Sequence, residues 1–529
     1  MAKSSARGGF KLFIGVSISS VVMAVSVIFV LRLLANPDDY GIITTALIFP
    51  LMLSLFKDWG INSAMIKFLA QYKSENETDT IKNVLLTGML FELIMGTFLT
   101  LLSFFLADFL ATSVFHLPEA KVLIEVASFI IIGDSFLKVA QSTFIGLERL
   151  EFHSLTLILN AGLRGLLAPL LVYHGFGVMG AIQGQIYAQL TAGIIGIIIF
   201  YYSFFRKYIK KGTWDKSIIK RTLKMMLVYG VPLSFSFVIT GFLPHFYNTV
   251  LTQSFDAASN TAYTTALGNY QAAVNFTVIV SFFTVPITTV LFPAFSKLRE
   301  DKDKETLRAV FQTSVKYGAL LTLPVTWMMM VLAEPVIFSV VGTEYAEAPF
   351  YLSLYLIVHL YAAVGNLSLA NFLNGQGKTQ ISMKMAIINL LMGLLLGWIL
   401  ISQFGVVGMI LSSLLAGVPS LIYGLWWIKK NYAATIDWLS STKIFLASVI
   451  ATGATYLLLA QFTFDYWIEM FTGGIFFLAV YLVTAPMIQA VKKTDILRLR
   501  EMLSGLGPFS YIFNIPLEIM EKLSDVFKS

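Results

Sequence analysis

Apolar residues in this chain come in long unbroken runs, not in the narrow stripes of helices packed on a soluble core. The first, 12–31, is uncharged and follows Lys3, Arg7 and Lys11. A membrane-crossing helix needs about 20 largely apolar residues, whereas secretory signal cores hold about 7–15, so this run reads as a retained first helix. Similar runs follow at 41–72 (interrupted by Lys57, Asp58 and Lys67), 84–107, 122–146, 154–173 and 178–205, making six helices. A basic stretch then carries Arg206, Lys207, Lys210, Lys211, Lys216, Lys220, Arg221 and Lys224, and it reads as a cytoplasmic linker. Runs at 225–251, 263–293, 317–341, 350–372, 385–402, 405–428, 444–462 and 470–491 bring the expected total to about fourteen. The expected organisation is an N-terminal lobe at 1–205, the linker at 206–224, a C-terminal lobe at 225–428, two further helices within 429–491, and a cytoplasmic amphipathic tail at 492–529.

Composition agrees with this pattern. The chain is 57% apolar and 13% charged, against about 45–50% and 25% in soluble domains, which excludes an ordinary soluble enzyme. The net charge of +7 does not point to nucleic acid, because the basic residues fall between membrane runs, where they set orientation and meet anionic lipid. With the N-terminus inside, only Arg32 and Lys121 lie in external loops and Lys138 and Arg164 lie within helices; the other 33 of the 37 basic residues are cytoplasmic, which puts both termini inside. The absence of cysteine excludes disulfides, thiolate metal sites and a cysteine nucleophile.

The two halves echo each other. Gly165-Leu166-Leu167 and Phe176-Gly177-Val178-Met179-Gly180 recur 228 residues later as Gly393-Leu394-Leu395 and Phe404-Gly405-Val406-Val407-Gly408, and Phe144 matches Phe372. Thr44-Thr45-Ala46-Leu47 recurs as Thr264-Thr265-Ala266-Leu267 at an offset of 220. An odd spacing of helices between copies would invert them; here the fifth and eleventh run the same way, so two parallel six-helix repeats are expected, a geometry suited to alternating access.

Motif matches to enzymes fail on context. Residues 175–180 fit G-x-G-x-x-G, but they join two membrane helices and no βαβ unit is present to hold a dinucleotide. Gly377-Lys378-Thr379 resembles the end of a phosphate loop whose first glycine is here Phe372, so ATP-driven transport has no support in the sequence. The five histidines lack metal-ligand spacing, and His359 alone lies near a membrane midplane, as a candidate proton carrier.

Ionisable groups inside membrane helices cost about 2.5–3.5 kcal/mol each at the bilayer centre, so they normally face a partner or a wet cavity. Glu92, Asp134 and Arg164 share one expected depth in the first half. Asp134 and Lys138, four residues apart, can pair along one helix face, leaving Glu92 and Arg164 as a second pair. Two structural ion pairs are one reading. In the other, Arg164 and Lys138 meet an anionic substrate while Glu92 or Asp134 exchanges a coupling ion. Lys57 is expected either to snorkel at the inner end of helix 2 or to receive a phosphate, with Arg32 as its counterpart at the outer end of helix 1. Prolines at 50, 169, 232, 244, 286, 324 and 419 supply hinges. Gln183, Gln185 and Gln189, with Asn269, Gln271 and Asn275, offer hydrogen bonds to a sugar or between helices.

Several segments together resemble the polysaccharide-biosynthesis flippases, the exporters of O-antigen and lipid-linked oligosaccharides in the superfamily that includes multidrug and toxin extrusion (MATE) proteins. Residues 32–41 (RLLANPDDYG) and Asp58-Trp59-Gly60-Ile61 are similar to the family's segment after helix 1 and its turn in helix 2. Residues 291–298 (LFPAFSKL), Ala333-Glu334-Pro335 and Gly342-Thr343-Glu344-Tyr345 are similar to its helix 8 end and the segment after helix 9. The resemblance runs from about Gly15 to Trp427. It implies an all-α polytopic membrane protein with two six-helix lobes in a V and two extra C-terminal helices. It also implies a non-enzymatic flippase moving a polyprenyl (pyro)phosphate-linked oligosaccharide from the inner to the outer leaflet of the cell membrane. Implied partners are that glycolipid, membrane lipids and glycan-assembly enzymes, with the chain a monomer. No cofactor is implied, and the drive stays open among H+, Na+ and the membrane potential. A cation-coupled drug antiporter and a lipid II flippase remain alternatives. The first lacks its expected acidic residue in 12–31 or 225–251, and the second its arginines, since 263–293 holds no basic residue.

Overall fold

The computed structural model describes residues 2–206, 216–254, 260–296, 298, 303–462, 464–504 and 510–526. Part of the basic linker, 207–215, lies outside the described residues, as do 505–509 and 527–529 of the tail. Helix is the only regular structure among the described residues, as expected where hydrocarbon leaves every backbone N–H and C=O to be satisfied within its own segment.

Contacts divide the chain into two compact units. The first comprises Met1–Gln271 with Gly397–Val406, and the second Ala272–Leu396 with Val407–Ser529. The first is built from α1 (Ala2–Leu34), α2 (Pro37–Ser54), α3 (Ile61–Ser74), α4 (Thr78–Phe109), α5 (Ala120–Ala127), α6 (Phe129–Gly146), α7 (Leu150–Leu171), α8 (Gly177–Phe200), α9 (Lys216–Gln253) and most of α10 (Asn260–Phe276). Its core brings Met65 and Leu69 of α3, Leu85 of α4, Phe144 of α6 and Met226 of α9 together. The second contains α11 (Val278–Ser296), α12 (Lys304–Val331), α13 (Ala333–Val340), α14 (Ala348–Leu356), a 3-10 stretch (Ile357–Val364), α15 (Asn366–Gly375), most of α16 (Thr379–Tyr432), α17 (Trp438–Gln461), α18 (Tyr466–Met487), α19 (Lys493–Ser504) and α20 (Ser510–Val526). Its core centres on the Phe372 ring, which meets Tyr432, Phe295 and Phe311 at centroid distances of 4.9, 5.2 and 5.7 Å.

By length and composition five helical stretches can cross a membrane, or seven if α12–α13 and α14–α15, bent by 68° and 55°, each count as one span. The outer surface has the matching chemistry. On α17 and α18 the exposed side chains include Tyr456, Leu457, Phe471 and Ile475, whereas Ala447, Ala451, Thr455 and Gly473 are buried. Small residues inside and large apolar ones outside suit helices packed in lipid. Just before α17, Asp437 accepts from the Ser440 N–H (3.1 Å) and hydroxyl (2.6 Å). Burial pushes its carboxyl up, but these bonds and the Lys316 charge outweigh that and hold it below the usual carboxylate range.

The repeat read from short sequence echoes extends to where elements begin and break. α5 and α14 begin at Ala120 and Ala348, 228 apart, and the interruptions that follow fall at Ser128 and after Leu356. Phe144 and Phe372, again 228 apart, are both fully buried in a core. Most specific are the turn glycines: Gly177 has φ 50°, ψ −134° and Gly405 has φ 55°, ψ −128°. A Cβ disfavours this backbone, so glycine at both positions lets an apolar run of two membrane lengths fold back as a hairpin. The 220 register aligns the break in the second apolar run with the junction at Thr277 between α10 and α11.

Candidate functional site

The second apolar run does not form one helix. α2 stops at Ser54 and α3 starts at Ile61, and the six residues between them carry the chemistry. Trp59 and Gly60 take left-handed conformations (φ 47° and 76°), interrupting the helical backbone just before α3. Asp58 then accepts from the Asn62 N–H at 2.7 Å, satisfying one of the open donors at the start of α3. Gly60 is also a contact: its backbone lies so close to Gly230 of α9 that a Cβ on either residue would run into the other's carbonyl.

Lys57 leaves this break toward α4 and α6. Its Nζ lies 3.1 Å from Asp134 Oδ2 and 3.4 Å from Glu92 Oε2. The Lys57 and Glu92 side chains are 3% and 0% exposed, while Asp134 keeps 23%. Around them the Asn62 Nδ2 donates to Glu92 Oε1 at 2.7 Å, the Ser142 hydroxyl donates to Asn62 Oδ1 at 3.0 Å, and the Ser54 hydroxyl reaches Asp134 Oδ2 at 3.5 Å. Hydrogen bonding at this level is what a buried charge needs if it is to remain in low dielectric.

This arrangement revises the sequence-based pairing. Asp134 does not bond Lys138, four residues on; it turns to Lys57, and Lys138 is exposed. Glu92 does not pair with Arg164 either, because Lys57 and Asn62 occupy both its oxygens. Lys57 neither snorkels nor stands open to a phosphate; it is sealed between two carboxylates. The physical reason is common to all three. A local i,i+4 rule compares charges on one helix, whereas a fully buried lysine brought in by a neighbouring break has no water and takes the anions within reach. Asn62, Ser54 and Ser142 escaped sequence reasoning; Asn62 could have been suspected from its position four residues after Asp58.

The remaining candidates stand apart from this cluster. Arg164, midway along α7, is partly buried and forms no ion pair with a carboxylate among the described residues; Tyr40 is the ionisable group whose charge acts on it. The Ser26 hydroxyl of α1 donates to the Arg164 carbonyl at 3.2 Å. An open, largely apolar surface pocket of about 350 Å³ is lined by Gly162, Gly165 and Leu166 of α7 and by Val21, Val22, Val25, Ser26 and Phe29 of α1. Arg32 is exposed in the last turn of α1. His359 belongs to the second unit, half-buried on the 3-10 stretch. No cluster of potential metal ligands occurs among the described residues.

A helical, lipid-faced chain with a broken helix and a buried ion cluster at the break has the build of a membrane transporter. The family model for polysaccharide biosynthesis proteins matches residues 29–349, more than half of the chain, so the chain belongs to that family. A second model, for the lipid II flippase MurJ, matches 237–482. An uncharacterized membrane protein of Methanocaldococcus jannaschii is 22% identical over 407 residues, 74% of this chain and 78% of that one. The "Probable low-salt glycan biosynthesis flippase" of Haloferax volcanii is 20% identical over 233 residues, 43% and 48% of the two chains. The fold is similar to that of a lipid II flippase MurJ in an inward closed conformation, with TM-score 0.71 at 16% identity over 90% of this chain and 98% of that one. An inward-facing MATE transporter superposes with TM-score 0.62 at 17% identity, over 80% and 98%. The chain is thus an α-helical, multi-pass membrane protein with the fold of the superfamily that holds those transporters.

Proposed function

We propose that this protein is a flippase that moves an oligosaccharide on a polyprenyl phosphate or pyrophosphate from the inner to the outer leaflet of the cell membrane by alternating access. The observation that carries this reading is membership of the polysaccharide biosynthesis family over residues 29–349, on a fold shared with flippases and exporters. The physical task fits: a hydrated, charged head group cannot enter hydrocarbon unaided, while its isoprenoid tail can stay in lipid. The proposed span count is fourteen, as two six-helix halves (1–205 and 225–428) joined by the basic linker, with two further spans in 429–491 and both termini cytoplasmic. The matched starts, breaks and turn glycines of the two halves support this count. Arg164 is assigned to the phosphate, because among the described residues it is an intramembrane cation with no carboxylate to neutralise it. Exposed Lys138 and Arg32 are assigned to flanking contacts with the same anion. Glycan-assembly enzymes are the expected neighbours, and the chain is expected to act as a monomer.

The test is flipping in proteoliposomes of a fluorescent polyprenyl-pyrophosphate oligosaccharide, with lipid II and an organic cation as competing cargoes. The oligosaccharide carrier is expected to move without nucleotide. Arg164→Ala is expected to slow flipping at least about tenfold, the size of one lost charge-assisted hydrogen bond of about 1.5–3 kcal/mol. Transport of the organic cation alone would replace this reading with that of a drug antiporter.

A further inference from the structure

We propose that Lys57, Glu92 and Asp134 form a proton-binding site which controls the closure of the α2–α3 break against α9. This rests on the flippase reading for its cargo, though the site itself is defined by geometry.

The first ground is charge. One ammonium stands between two carboxylates, 3.1 and 3.4 Å away, so the sealed cluster carries an unbalanced negative charge when all three are ionised. Surrounding elements do not cancel it. Asp58 in the break adds a negative charge acting on Glu92, while α2 and α3 contribute the neutral Ser54 and Asn62. α6 contributes neutral Ser142 and the exposed Lys138, whose field reaches Asp134 and His153 of α7, and α9 contributes the backbone of Gly230. Leaving a charge uncompensated away from water is unfavourable, and one added cation removes the imbalance.

The second ground is which cation fits. A sodium ion needs a cage of oxygens, and the space between the carboxylates is already filled by Lys57 Nζ. Asn62 turns its NH2, not its carbonyl, to Glu92, and gives that carbonyl to Ser142. A proton needs only one carboxylate oxygen. Asp134, 23% exposed, is where it can arrive, while Glu92 at 0% is shut from water. When a proton binds either carboxylate, Lys57 keeps its three hydrogens and loses one of its two ionic partners.

The third ground is that the fold does not need the ions. In the 220 register Lys57 corresponds to Thr277, which interrupts its helix pair and whose hydroxyl donates to the Val274 carbonyl. In the 228 register Asp134 corresponds to Ala362, and from the starts of α4 and α12 Glu92 corresponds to Gly318. The second half interrupts its helix at the matching position, by one residue instead of six, without the triad, so the charges are an addition to one half. What they hold is the segment that ends in Gly60, pressed on Gly230. Loosening Lys57 frees a gate three residues away.

Infrared titration of the full-length protein in proteoliposomes counts carboxyl protons directly and needs no substrate. Above about pH 6, where ordinary carboxylates are ionised, wild type is expected to retain one carboxyl proton per chain that is lost in Glu92→Gln or Asp134→Asn and kept in Glu148→Gln, an exposed carboxylate paired with Lys73. Lys57→Met is expected to raise the count to two. Asp134→Asn, at the half-open member, serves if Glu92→Gln does not fold. Trp59, 48% exposed beside Gly60, is expected to change its accessibility to an aqueous quencher with the same pH midpoint. In the flipping assay, the wild-type response to a pH gradient at constant sodium is expected to be lost in Asp134→Asn. A titration unchanged in both carboxylate variants, or flipping that follows a sodium gradient at fixed pH, overturns the proposal. If wild type flips no substrate, the flippase reading falls while the infrared count still decides the proton site.

Discussion

Lys57, with 3% of its side chain exposed, lies between the carboxylates of Glu92 and Asp134. Removing one partner of a buried ion pair leaves the other to stay charged and dry or to be neutralised by a proton, at a cost of about 3–5 kcal/mol, whereas replacing the whole set by neutral groups is often tolerated. Lys57→Met is therefore expected to lower unfolding stability in mild detergent by about 3–5 kcal/mol. The triple variant Lys57→Met/Glu92→Gln/Asp134→Asn is expected to regain most of that loss, even though it has no charge left to couple. Equal instability of the single and triple variants would mean that the three side chains do not share one electrostatic unit. At this scale the sequence marked Glu92, Asp134, Lys138 and Arg164 as exceptional because charges in apolar runs are costly, and it placed Lys57 apart from them at the inner end of helix 2. It could not say which pairs with which, since that depends on a neighbour brought in by a backbone break.

Among the elements, the two hairpins turning at Gly177 and Gly405 show how much structure a single dihedral carries. Both glycines hold φ near +50° with ψ near −130°, and nothing lies within 4 Å of where a methyl would sit at either, so the cost of a side chain there is conformational. Gly405→Ala is expected to destabilise by about 1–3 kcal/mol. Gly453→Ala, within α17 and equally open, is expected to change stability little or raise it slightly; thermal unfolding of the two variants separates strain from crowding. These hairpins were legible as apolar runs joined by a short glycine turn. The break in the second run was not: Asp58-Trp59-Gly60 stood out as a motif, but a run of apolar residues has the same composition whether it forms one helix or two.

For the whole molecule, the orientation proposed from the distribution of lysine and arginine can be measured cleanly in a chain without cysteine. Single cysteines at Glu148 and Glu119 are expected to react with a membrane-impermeant maleimide from opposite sides, Glu148→Cys from the cytoplasm and Glu119→Cys from outside. Labelling of both from one side would refute the proposed topology. Contacts also group the chain differently from the halves read in the sequence: α9 and the start of α10 pack with the first unit, through Gly230 at one end and through hydrogen bonds from Tyr263 to Thr45 and from Thr264 to Asp38 at the other. A repeat records how a chain was assembled, whereas a compact unit records which surfaces meet.

Hydrophobic run length, the sign of the charges between runs and the spacing of repeated glycines determined a helical membrane protein with a repeated organisation, because each reflects a local cost of placing a residue in lipid or in a turn; the family was carried by the resemblance of short segments such as 32–41 and 291–298. Only the tertiary structure decided that Lys57 joins Glu92 and Asp134, that Lys138 and Arg164 stay outside that cluster, and that Gly60 closes on Gly230. Those outcomes depend on distances between segments far apart in sequence, and Coulomb energy and steric contact are set by such distances alone.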